Sequence, residues 1–343
     1  MSGSLLRPLG KLCLVVGFFA GGAVSAQSDP LQRGGLILSV SGNQARVEQP
    51  GGAVVRLDLP SRAEVSSLAP LERGWIAAGS TEDDKGRRSL FLLTGSGRTI
   101  RPWQAPPGQQ GTERRNPILL VDEGNLAGLA WLEGDTDQSL SVRAAAWDGQ
   151  SWSAAEAVSR TGPGSQLALT GAVLADGSWL LAWSAFDGED DEIVWARHSR
   201  QGWSAVRPLS KANTVPDITP ALAASGDGAL IAWSRYDGES YRLHLARFAN
   251  ESWRAERIAG PPGSLYPTFQ STADRLYLVH LNAVPRSWSV LELDPAGKLL
   301  RRGTALSGLA ERPVVSSASE ENGFRLRWIS GKLETSAAWE RVP

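Results

Sequence analysis

Residues 218–260 read ITPALAASGDGALIAWSRYDGESYRLHLARFANESWRAERIAG, and four short apolar runs are split there by Gly-Asp-Gly, Tyr-Asp-Gly-Glu and Ala-Asn-Glu punctuation. No helix of useful length survives turn formers at that spacing, so the stretch predicts four strands joined by three tight turns. The preceding segment repeats it. LLAWSAFDGEDDEIVWARHSRQGW at 180–203 lies over LIAWSRYDGESYRLHLARFANESW at 230–253, with the Trp of each Ala-Trp pair and the closing Trp in register. Trp131, Trp183 and Trp233 stand 52 and 50 residues apart, and Trp152, Trp203 and Trp253 stand 51 and 50 apart. Two independent markers with one period identify a structural repeat of about fifty residues.

Working outward, a clear unit opens at Arg115-Asn116-Pro117, and a degenerate one spans 74–103. A three-run meander fills 36–59, and shorter units open at Tyr266-Pro267 and Arg312-Pro313. No apolar stripe with a 3.6-residue period extends beyond about two turns, which leaves helix without support. Four-stranded antiparallel sheets at this period predict an all-β fold, a β-propeller of six blades, with seven allowed by the three spare N-terminal strands. The last unit runs out of chain before its fourth strand. An N-terminal strand completing that last blade would close the ring and remove two exposed edges.

Residues 1–26 stand outside this pattern. Arg7 and Lys11 form a basic start, an apolar run follows, and Val24-Ser25-Ala26 gives a small-residue exit, which together predict a cleaved signal peptide and a periplasmic or secreted protein. The apolar run is too short to span a bilayer. Cys13, the single cysteine, falls within it, so the expected mature domain, 27–343, has no disulfide, thiol nucleophile or Cys-bound zinc. With 35 basic and 36 acidic residues and no dense basic run, nucleic acid is not an expected partner. A monomer that binds a periplasmic or extracellular protein or glycan is expected, with no transmembrane segment after cleavage.

In a propeller the links between blades and the turns between second and third strands share one face around the channel. Here those turns carry Glu82, Asp83, Asp84, Glu133, Asp135, Asp137, Asp187, Glu189, Asp190, Asp191, Asp237 and Glu239. One reading makes them solvated turn formers. The other makes them a docking face or a cation site, for which Asp187, Glu189, Asp190 and Asp191 are the candidate calcium ligands, although the run lacks EF-hand spacing. No other cofactor is expected. The segments opening each first strand place Arg115, Asp217, Tyr266 and Arg312 toward the channel mouth, where guanidinium groups can hold a carboxylate bidentately. With Tyr236 and Asp237 these form the candidate ligand-binding set. His198, His244 and His280 have no spaced partner for a metal. The Trp columns are expected in the blade core, and Trp179, Trp195 and Trp288, outside those columns, are the candidate sugar platforms.

Asp148-Gly149-Gln150-Ser151-Trp152-Ser153, and more loosely 199–204 and 250–253, resembles the Asp box, the turn repeated in BNR-repeat propellers of the sialidase superfamily. The resemblance covers about 115–260 and implies the fold, because such turns lie on the outer edge. It also implies candidate chemistry. Sialidases carry an arginine triad, an acid/base Asp and a Tyr-Glu pair on the channel face; Arg115-Asn116-Pro117 is similar to their Arg-x-Pro element, with Arg312, Asp217 and Tyr266 as further catalytic candidates. The third arginine and the Glu partner of the tyrosine have no counterpart. The leading expectation is therefore an exported, non-catalytic propeller that binds through its channel face, ahead of a sialidase-like glycoside hydrolase and a calcium-stabilised scaffold.

Overall fold

The computed structural model describes residues 31–341 except 110, 136–139, 160–165, 210–212, 273–274, 308–311, 320–322, 328–333 and 338. The expected export segment, residues 1–26, and the turn residue Asp137 lie outside the described residues. Every regular element described is a strand. The chain forms a β-propeller of six blades, residues 31–58, 64–103, 113–157, 166–208, 217–258 and 264–307, in which consecutive strands pair antiparallel except that Gly202–Trp203 and Arg207–Pro208 both pair with Asp191–Ser199. Trp339–Arg341 adds a fifth strand to blade six, and Val314–Ser319, Gly323–Arg327 and Glu334–Ala337 form a shorter sheet beside it. No helix among the described residues is long and apolar enough to cross a membrane.

The tryptophan column explains how separate sheets become one body. A second strand that is apolar on both faces must be covered on both, and Trp131, Trp183 and Trp233 are fully buried. Each joins the core of the blade before it. Trp131 clusters with Ile76, Ala78 and Leu92 of blade two. Trp183 clusters with Leu132, Val142 and Ala144 of blade three, and Trp233 with Leu180, Ala182 and Ile193 of blade four. The three expected sugar platforms are core as well: Trp179, Trp195 and Trp288 are only 7%, 5% and 4% exposed. Trp179 lies so close over Gly128 of blade three that a Cβ there would meet its ring at 2.5 Å. Trp195 packs edge-on against Phe248 and Trp253 of blade five. None of the three offers a face to a ligand.

One backbone device recurs in the inner strands of blades three to six. Two residues oppose a single residue of the second strand: 116–117 oppose Trp131, 168–169 oppose Trp183, 219–220 oppose Trp233 and 266–267 oppose His280. This is a β-bulge, which bends the strand and re-aims side chains at sheet rims. The first residue of each pair is left-handed, with φ of +50° at Asn116 and Ala168, +53° at Thr219 and +52° at Tyr266. The second, Pro117, Leu169, Pro220 or Pro267, is buried. The prolines thus mark the bulge and its buried half, inside the strand rather than at its first residue.

The ring closes through side chains. Leu31–Arg33 pairs with Leu36–Ser41 of its own blade, so the N-terminal strand adds no ladder to the C-terminal sheets. Instead the Gln32 amide donates to the Ser271 carbonyl at 2.7 Å and accepts from the Ser271 N–H at 2.9 Å, joining blade one to blade six. Gln270 repeats this clasp toward the short sheet, donating to Pro313 O and accepting from Val315 N, both at 2.8 Å.

Candidate functional site

In the turns between second and third strands, the first Asp is committed to the turn itself. Asp187 Oδ1 accepts the N–H groups of Glu189 and Asp190, at 2.8 and 3.2 Å. Asp237 Oδ1 accepts those of Glu239 and Ser240, at 3.0 and 2.9 Å, and its Oδ2 accepts from Arg242 Nε. These bonds, the Ser240 N–H first, hold the Asp237 carboxyl down to about 2. Asp83 is used in the same way by Lys85 and Arg87. Asp and Asn favour turns because the side chain mimics a backbone acceptor, and three of the acidic turns do that.

Blade five supplies the rigid part of the site. Asp217 opens the inner strand and is 0% exposed. Arg235, opposite it on the second strand, donates from Nε to Oδ1 and from Nη2 to Oδ2, both at 2.7 Å. The carboxylate is closed to a ligand, so the sequence candidate Asp217 anchors two strand ends. Tyr236 follows Arg235, and its N–H donates to Pro216 O at 3.0 Å. Tyr241 begins the third strand opposite Tyr236, their rings 5.3 Å apart. Burial first, then the charges of Asp191, Tyr266 and Tyr236, raise the Tyr241 phenol above its ordinary value, which places these four groups within electrostatic reach. Tyr266, in the bulge of blade six, packs against the core that blade six shares with the short sheet, within electrostatic reach of Tyr241, and all three tyrosines at this rim of blades five and six are partly exposed.

Blade four presents a different chemistry. One carboxylate oxygen from each of Asp187, Asp190 and Glu192 lies within 4.8 Å of the others. Glu192 is 4% exposed; its Oε1 accepts from the backbone N–H of Asn213 at 3.1 Å and from its side chain at 2.9 Å. Glu192 Oε2 and both Asp190 oxygens are buried without a hydrogen-bond partner. Burial, with Asp187 and Asp217 as the leading neighbouring charges, pushes the Asp190 carboxyl up to about 6. Burial again comes first for Glu192, pushed up to about 7 with help from Asp217 and Asp190, while the Asn213 bond and Arg235 pull the other way. Of the four expected calcium ligands, Asp187 and Asp190 belong to this cluster. Glu189 is exposed at the turn tip. Asp191 is outside this cluster: it begins the strand, where neighbouring side chains alternate, so it faces the side opposite Glu192, within electrostatic reach of Tyr241.

The remaining candidates are placed with separate partners. Arg115 Nη2 pairs with Glu113 on its own strand. Arg312 lies over the Trp288 ring, with Cζ 5.9 Å from its centroid. It also lines the central channel, a hollow of about 150 Å³, together with Arg33, Thr170 and Phe269. Arg115 belongs to blade three and Arg312 follows blade six, half a ring apart. Sequence reasoning missed Arg235, Tyr241 and Asn213. Only the repeat alignment, which sets Tyr241 under Asp191, marks one of them.

No protein-family model matches the chain, and no curated protein matches it by sequence. Solved structures do resemble it. A puromycin-hydrolyzing peptidase from Mycobacterium tuberculosis matches with a TM-score of 0.56 and 13% identity over 91% of this chain; the match spans 53% of the peptidase, about half its length. The polysaccharide lyase Uly1 matches at 0.54 with 9% identity, over 93% of this chain and 90% of that one. A protein of unknown function from Dyadobacter fermentans DSM 18053 matches at 0.50 with 10% identity, over 81% and 94%. What they share is the fold. Identities this low transfer no activity.

Proposed function

We propose that this is an exported β-propeller that binds a glycan, without turning it over, at the tyrosine rim of blades five and six. The observation that carries the reading is Tyr266. A bulky aromatic residue with φ of +52° is a genuine backbone outlier, and such strain persists where the surrounding structure imposes it. The bulge is common to four blades, but only blade six places an aromatic ring in it, partly exposed and within electrostatic reach of Tyr241. Partly exposed rings offer apolar faces to sugar C–H groups, and Asp191 offers a hydroxyl acceptor. The basic start, apolar run and small-residue exit of residues 1–26 support export. The Asp148 turn, whose Oδ1 accepts the N–H groups of Gln150 and Ser151, supports kinship with the sialidase superfamily.

Affinity electrophoresis through gels containing acidic or neutral polysaccharides tests the reading. The chain is expected to be retarded by at least one polysaccharide and to lose that retardation in Tyr266→Ala. Equal mobility in every gel, or a variant that binds as the parent does, refutes it. Release of new reducing ends, abolished in Arg115→Ala, replaces binding by sialidase-like hydrolysis.

A further inference from the structure

Two successive blades share a turn and differ in how they neutralise it. In the 50-residue alignment Asp187 stands over Asp237, Asp190 over Ser240 and Glu192 over Arg242. Blade five places the Arg242 guanidinium on the turn aspartate. Blade four puts Glu192 where that arginine stands and adds Asp190, so the same backbone geometry gathers three carboxylates, with no ion pair to them among the described residues. Arg235, the positive group that reaches Glu192 from blade five, holds both oxygens of Asp217.

An acidic cluster in solvent needs no ion, because its oxygens bond to water. This one is different at Glu192. With 4% exposure, and an Oε2 that is buried without a partner, it cannot be satisfied that way. Both Asp190 oxygens share that condition. A buried carboxylate without hydrogen bonds is costly unless it is paired or coordinates a metal. We propose that Asp187, Asp190 and Glu192 form a calcium site at the blade-four rim, with Asn213 orienting Glu192.

The donor set is all oxygen and triply acidic, which selects hard cations over zinc or copper. Calcium takes oxygens at about 2.3–2.6 Å, so donors on opposite sides stand roughly 4.6–5.2 Å apart. The three oxygens lie within 4.8 Å of one another, inside the upper limit that range sets for donors sharing one ion. Asn213 belongs to the link that enters blade five, so an ion here ties the turn of blade four to the next blade. The proposal stands apart from the glycan reading, since it needs neither Tyr266 nor a sugar.

The test uses the full chain, freed of metal by chelator, titrated with Ca²⁺ by calorimetry and by terbium luminescence sensitised by nearby aromatic rings. One site is expected, together with a rise in melting temperature that grows with Ca²⁺ concentration. Asn213→Ala is expected to weaken Ca²⁺ binding roughly 10–100-fold, the usual effect of removing a group that orients a ligand. Glu189→Gln, at the exposed tip, is expected to leave it unchanged. The deciding variant is Asp190→Ser with Glu192→Arg, which copies blade five. It is expected to fold without metal, because blade five does so with the same residues, and to lose Ca²⁺ binding and the melting shift together. A parent chain that neither binds nor shifts in millimolar Ca²⁺ overturns the proposal, as does a blade-five copy that still binds like the parent.

Discussion

Replacing Arg235 by Met keeps the apolar stem of the side chain and removes the charge opposite Asp217. Asp217 is 0% exposed, and Arg235 is the partner of both its oxygens, with a side chain 20% exposed. At about 4 Å and an effective dielectric near 20, the lost attraction is about 4 kcal/mol. Breaking a buried pair by removing one partner typically costs about 3–5 kcal/mol, because the survivor is left charged in a poor solvent. The partial exposure of Arg235 argues for the lower end, so equilibrium urea unfolding is expected to show a loss of about 3 kcal/mol. The double variant, Arg235→Met with Asp217→Leu, removes both charges and is expected to lose less than the single one. That inversion separates an uncompensated charge from simple loss of packing. A single-variant loss below about 1 kcal/mol, the scale of a solvated surface pair, refutes the reasoning, and so does a double variant that loses as much as the two single changes together.

Two further perturbations probe the tryptophan column and the place where it is interrupted. Trp183→Ala is expected to cost about 3–5 kcal/mol in the same unfolding assay, since a fully buried ring shared between blades three and four leaves a cavity that neither sheet can fill. Its Nε1 has no partner, whereas Trp131 Nε1 donates to Glu133 at 2.7 Å, so a Phe replacement is expected to be milder at 183 than at 131. His280 takes the column position in blade six and is 1% exposed; burial, then the Arg302 charge, pulls its pKa down to about 4. The folded chain therefore refuses a proton that the unfolded chain accepts near its ordinary value of about 6.5, so the stabilising effect is full above that value and is lost as pH falls toward 4. Unfolding at pH 7 and pH 4.5 should show a loss in the parent chain that His280→Gln largely removes; equal pH dependence in both refutes the assignment.

The fold was legible because packing between blades needs the same residue at the same place in each repeat, and a large residue such as Trp is visible when it recurs. The bulges were not. Asn116, Ala168, Thr219 and Tyr266 share a left-handed backbone and no chemistry, and the pairing of two residues against one exists only in the ladder. Ring closure was hidden for a similar reason: Gln32 and Ser271 are 239 residues apart, and neither belongs to a pattern. At the site, burial decided what residue type left open. Asp217 read as a channel-mouth group, and only its zero exposure with two short bonds from Arg235 makes it an anchor. Glu192 was recoverable from period-two alternation, which puts 190 and 192 on one side and sends 191 to the tyrosines. A repeat protein also carries its own control. Where the columns agree, as at Trp131, Trp183 and Trp233, the common residue answers a need of packing. Where they part, at His280 for Trp, at Tyr266 for Thr219 and at Glu192 for Arg242, the same backbone tolerates either side chain, so the fold alone does not explain the choice. The breaks at Tyr266 and Glu192 are where the proposed ligand and cation are to be sought.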